Sequence, residues 1–211
     1  MCHPNDKTTD GKLQIAASVS LLQNSMLVCW KSDSAEFVPV DSANFEGSWQ
    51  KIDPAFGRLI SWINFSAGAE FLAKGVCLLR GIEIRTRLKV PAYPAGDIAT
   101  WASNYRLGKP ATIEVTSFGT MGNLLNGPLQ LLCCIVGAPE QDRKLVLASY
   151  DLLSRSIRNR DAHAYVRNVR DSHFSLVSEC FTKCLNLLVS WIPYDRSVIN
   201  DWMDQAPDFT D

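Results

Sequence analysis

Between Arg58 and Glu70 the chain reads LISWINFSAGA, with no charged side chain. That gap restricts the possible folds more than any other feature of the sequence. Around it Leu59, Ile60, Ile63, Ala67, Phe71, Lys74 and Leu78 recur at steps of three and four, the rhythm of a helix that starts at Pro54, a favoured first-turn residue, and runs to about residue 82. A helix whose middle turns carry no charge on any side must be enclosed on more than one face, so this segment is expected to be central. Three further segments supply its neighbours. Apolar runs fill 119–139. Leu145, Ala148, Leu152, Arg155 and Ile157 keep a helical beat through 140–160. After Asp171 and Ser172, both good amino-terminal caps, Phe174, Val177, Phe181, Cys184, Leu188 and Trp191 form one stripe that Pro193 ends.

These segments predict a mainly α protein, an antiparallel helical bundle with an insertion and extensions at both ends. Residues 1–53 form the N-terminal extension, with a weak helical pattern over 11–30 and a connection over 31–54. The bundle occupies 54–193. Pro91, Pro94, Gly96, Gly108 and Pro110 mark a loop insertion at about 88–112, and TIEVTSF at 112–118 admits a short strand. The acidic tail 194–211 is expected to be peripheral.

With 46% hydrophobic and 20% charged residues the chain is not of a disordered class. Its longest apolar runs, such as LLCCIV at 131–136, are far too short for a bilayer, and MCHPNDKTTDGK at the amino terminus lacks the apolar stretch of a secretory signal. A soluble cytoplasmic protein without membrane contact is expected. The seven cysteines are odd in number and show no paired spacing, which points to free thiols. Cys180 and Cys184 alternate with Phe181, Leu185 and Leu188, so packing explains them better than metal binding, and neither a metal nor a cofactor is expected. Glu70 and Lys74 have the spacing of a helical ion pair, and Trp62 and Trp191 fall on apolar faces.

The net charge of -1 says little about partners, but the local charge says more. In 80–89, Arg80, Arg85, Arg87 and Lys89 face only Glu83, a patch that would attract phosphate or simply form a solvated face. In 155–171, Arg155, Arg158, Arg160, Arg167 and Arg170 outnumber Asp161 and Asp171. SIRNRDAHAYVRNVRDSHF, 156–174, also holds two of the three histidines, each trailing an Arg-Asn pair. It lies at the junction of two predicted helices, where side chains and backbone amides are exposed. Arg158 offers a planar cationic fork suited to a phosphodiester, and His163 exchanges protons near neutral pH. The pair suffices for RNA cleavage without a metal, the imidazole moving the proton and the guanidinium offsetting charge on the phosphoryl oxygens. A plain polar turn, with His163 bonded to backbone and the arginines paired with Asp161 and Asp171, is the alternative.

RNRDAHAY resembles the signature of the HEPN superfamily, Arg-x4-6-His, in the Arg-x4-His-x-Tyr form of the toxins of HEPN/MNT pairs: Arg158, Asn159 directly after it, His163 and Tyr165. AGAEFLAKGVCLLRG, 67–81, is similar to the first long helix of that family, where Ala-Glu with a following Lys is frequent. The resemblance covers about 55–192. It implies a helical homodimer in which two facing motifs form one RNA-cleaving groove. Arg158 and His163 would carry the chemistry, Asn159 would orient the histidine or the phosphate, and Tyr165 would line the groove. In HEPN/MNT systems that tyrosine also receives AMP from the partner nucleotidyltransferase. This chain is longer than the compact toxins and contains no nucleotidyltransferase signature, so an antitoxin would be a separate protein. Arg155, Arg160, Arg167, Arg170 and His173 are expected to contact the substrate. Arg167 and His173, an Arg-x5-His match without the tyrosine, form a competing pair. A catalytically silent HEPN-like domain that binds RNA or protein is the alternative function.

Overall fold

The computed structural model describes residues 4–25, 27–31, 36–39, 54–87, 111–116, 121–153 and 171–204. They are mainly helical: α1 (Pro4–Gln23), α2 (Pro54–Leu79), α3 (Met121–Val136), α4 (Glu140–Leu152), α5 (Asp171–Ser190) and α6 (Arg196–Asp204), with strands β1 (Val28–Lys31), β2 (Glu36–Pro39), β3 (Ile82–Arg87) and β4 (Ala111–Thr116). No helix among the described residues is long and apolar enough to cross a membrane.

α2 is enclosed as its charge-free stretch requires, packing against α1, α3 and α5. Phe65, Ala69, Leu72, Ala73, Val76 and Cys77 are buried on it, and so are Ser61, Ser66, Gly68 and Gly75. The apolar stripe was less informative than the missing charges: Ile63, expected on the buried face, is 47% exposed. α1 runs antiparallel to α2 at very short range. Glycines make the approach possible, since a Cβ on Gly75 would lie 2.7 Å from Ile15 Cδ1 and one on Gly68 would lie 2.8 Å from Leu22 Cγ. Ser18 Oγ donates to Gly68 O at 2.7 Å across the same contact. Residues 4–39, read from sequence as an extension, thus contribute Ile15, Val19, Leu22, Val28 and Phe37 to the shared core.

The end of α1 leads into a hairpin rather than continuing the helical pattern to residue 30. β1 and β2 are antiparallel in register Val28↔Pro39 to Lys31↔Glu36, and Trp30 meets Phe37 edge to face at 4.4 Å. The hairpin is held on α5 by polar side chains. Asn186 Oδ1 accepts from Phe37 N–H at 2.9 Å, and its Nδ2 donates to Phe37 O at 3.2 Å, so one amide stands in for a third strand. Ser178 Oγ donates to Leu27 O at 2.6 Å.

α2 ends at Gly81, whose φ of 77° suits a residue without Cβ and turns the chain into β3. β3 pairs parallel with β4, Ile82↔Ala111 through Arg87↔Thr116. The strand expected at 112–118 is therefore present as β4, whereas 80–89, read only for its charge, is mostly a strand. α3 stops in a two-bond C-cap: Ala138 N–H donates to Cys133 O, Gly137 N–H donates to Cys134 O, and Gly137 has φ 65°. α4 opens with Glu140 and Asp142, favourable at the positive end of its dipole. Its buried residues are Val146, Ser149, Tyr150 and Leu153, while Ala148 and Leu152 of the predicted stripe are exposed, so the inward face is displaced by about one residue. The stripe on α5 is as predicted where described: Phe181, Cys184, Leu188 and Trp191 are buried, with Phe181 edge-on to Phe65 at 5.1 Å. The tail 194–211 contains α6, which contacts α1 and buries Ile199.

Candidate functional site

Residues 154–170 lie outside the described residues, and with them Arg155, Arg158, Asn159, Arg160, His163, Tyr165, Arg167 and Arg170. Of the predicted site, the structure describes only the backbone of His173, in the first turn of α5; its side chain also lies outside. Asp171, expected as a cap ahead of that helix, is its first residue.

The two helices that bracket the stretch are firmly held. α4 passes through Leu153, fully buried, whose N–H bonds Ser149 O and Tyr150 O. One turn earlier, Tyr150 is 2% exposed and its Oη donates to Ala69 O on α2 at 2.5 Å. Burial first, then the nearby Cys184, Cys77 and Glu70, push this phenol well above its ordinary range, which leaves it a neutral donor. α5 is tied to α2 through Phe181 and packs against α4. Both flanks of the arginine-histidine stretch are therefore anchored to the central helix.

Glu70 and Lys74 form the expected pair, Nζ to Oε1 at 2.5 Å, with Glu70 buried and Lys74 5.8 Å from the Phe71 ring centre. In the second basic segment the described cation is engaged within the fold. Arg80 Nε donates to Trp191 O at 2.6 Å, where a cation complements the carboxyl end of α5. Arg85 is in backbone register with Glu114 across the β3–β4 ladder. Lys89 lies outside the described residues.

The six described cysteines are free. Cys77, Cys133 and Cys184, from α2, α3 and α5, are buried. Burial is the main cause that raises all three thiols, with Cys133 and Cys184 pushed up to about 12. They are protonated packing groups, not nucleophiles. Among the described residues no group of three or more His, Cys, Asp or Glu side chains could hold a metal ion.

Tyr150, which anchors α4 to α2, and Asn186, which anchors the hairpin to α5, were not singled out from sequence. Asn186 carried a usable signal, since an amide inside the apolar run CLNLLVSW must find partners if it faces inward. Tyr150 carried none, because a tyrosine in YDLL fits an exposed face equally well. No family model matches this chain, and no curated protein or solved structure matches it either.

Proposed function

We propose that this protein is a metal-independent endoribonuclease of HEPN type, an antiparallel bundle built on α2 to α5 that acts as a cytoplasmic homodimer. The observation that carries the proposal is the sequence Arg158-Asn159-Arg160-Asp161-Ala162-His163-Ala164-Tyr165, an Arg-x4-His-x-Tyr motif between two helices anchored to a common central one. His163 takes the proton from a ribose 2′-hydroxyl as that oxygen attacks the adjacent phosphorus, and the bond to the 5′-oxygen breaks. A proton delivered to the leaving oxygen, by the facing copy of His163, completes a 2′,3′-cyclic phosphate and a 5′-hydroxyl. Arg158 offsets the negative charge that grows on the phosphoryl oxygens. Asn159 orients His163 or the phosphate, and Tyr165 lines the groove. Arg155, Arg160, Arg167, Arg170 and His173 hold the RNA backbone. Such an enzyme is a toxin or defence effector restrained by a separate antitoxin or nucleotidyltransferase.

The test is incubation of the purified protein with total RNA in EDTA, with end-group analysis of the products. Wild type is expected to cleave and leave cyclic phosphates; His163→Ala and Arg158→Ala are expected to lose at least two orders of magnitude in rate, roughly the worth of a positioned acid-base group. Cleavage that survives in both variants but vanishes in His173→Ala transfers the chemistry to Arg167 and His173. RNA that is bound but never cut identifies a silent binding domain instead.

A further inference from the structure

We draw no further inference here: the strongest candidate, the cavity of about 340 Å³ between β2, the end of α5 and α6, lined by Glu36, Asn186, Ser190, Tyr194, Asp195 and Arg196, has its Asn186 amide engaged by Phe37 and its charged groups exposed, so nothing in the structure shows what would occupy it.

Discussion

Replacing Gly75 by alanine sets two effects of known sign against each other at the α1–α2 contact. In an exposed helix interior the change gains about 1 kcal/mol, because alanine loses less backbone entropy on folding. Here the new methyl would stand 2.7 Å from Ile15 Cδ1, 2.9 Å from Ile15 Cγ1 and 3.1 Å from Gly11 O. Ile15 is β-branched and 1% exposed, so it has no open rotamer to retreat into, and the Gly11 carbonyl moves only if α1 slides. Overpacking of this kind costs about 1–3 kcal/mol. The clash should win, with a net loss of about 1 kcal/mol, read as a lower urea midpoint at unchanged slope by far-UV circular dichroism. Gly11→Ala provides the comparison. There the close atoms are Cγ and Cδ2 of Leu79, a half-buried and more flexible side chain, and the nearest backbone atom is 3.4 Å away. That variant is expected to be neutral or slightly stabilised. Ile15→Val then tests the cause: alone it costs about 0.5–1.5 kcal/mol, but in the Gly75→Ala background it removes the nearest clashing atom and should cost close to nothing. The reasoning is refuted if Gly75→Ala is at least as stable as wild type, or if Ile15→Val costs the same in both backgrounds.

Three further outcomes follow from the buried polar groups. Asn186→Leu leaves Phe37 N–H and C=O without their side-chain partner and should cost about 1–3 kcal/mol in urea unfolding, with a change in Trp30 environment seen by near-UV dichroism; an unaltered melt would show that the hairpin is held by packing alone. Tyr150→Phe keeps the ring and removes only the donor to Ala69 O, so a loss of about 1 kcal/mol is expected, and a gain would mean that the hydroxyl is a burden in the core. Alkali should unfold the protein through its thiols. Unfolded cysteines ionise near 9.0, whereas folded Cys133 and Cys184 hold their protons to about 12. Between those values the unfolded state binds fewer protons, so stability is intact below pH 9 and falls as pH rises through the window. Thiolate absorbance from these residues should appear with unfolding, and its appearance near pH 9 in the folded protein would contradict their burial.

How much of this fold the sequence announced depended on which physical signal each element emitted. α2 was legible because exclusion of charge is a condition of burial on several faces, and no apolar stripe is needed to read it. The stripe itself misplaced Ile63, since a helix packed by glycines against α1 buries its small residues and can leave a large one outside. On α4 the misreading had a related cause. Ser149 and Tyr150 face inward, the first in side-chain hydrogen-bond contact with Cys184 and the second bonded to Ala69 O, and polarity alone gives no hint of that. β1 and β2 span only four residues each, too short for alternation to stand out, and they are tied by Asn186 and Ser178 to a helix remote in sequence. β3 did alternate, Ile82 and Ile84 with Glu83, Arg85 and Arg87, but its charge drew attention away from its period.

The candidate site rests on a different kind of signal, and residues 154–170 that carry it lie outside the described residues. A core residue is chosen by volume, which many side chains satisfy, whereas moving a proton beside a phosphodiester calls for an imidazole and a cation, and it is Asn159 and Tyr165 around Arg158 and His163, more than the bare spacing, that mark the stretch. Arg167 and His173, in the same stretch, offer a second match, with Arg-x5-His spacing, but lack the tyrosine. The flanks of the stretch are fixed: Tyr150 bonds the end of α4 to Ala69, Phe181 packs α5 on Phe65, and both contacts converge on the same helix. A catalytic pair tolerates little misplacement, because positioning errors of about 1 Å cost large factors in rate. On the proposed function, then, loosening either anchor should lower cleavage by more than the loss of folded protein explains. Tyr150→Phe, assayed at a temperature where it remains fully folded, separates the two: reduced RNA cleavage with intact dichroism ties the anchor to catalysis, and wild-type cleavage would mean that the motif needs no help from α4.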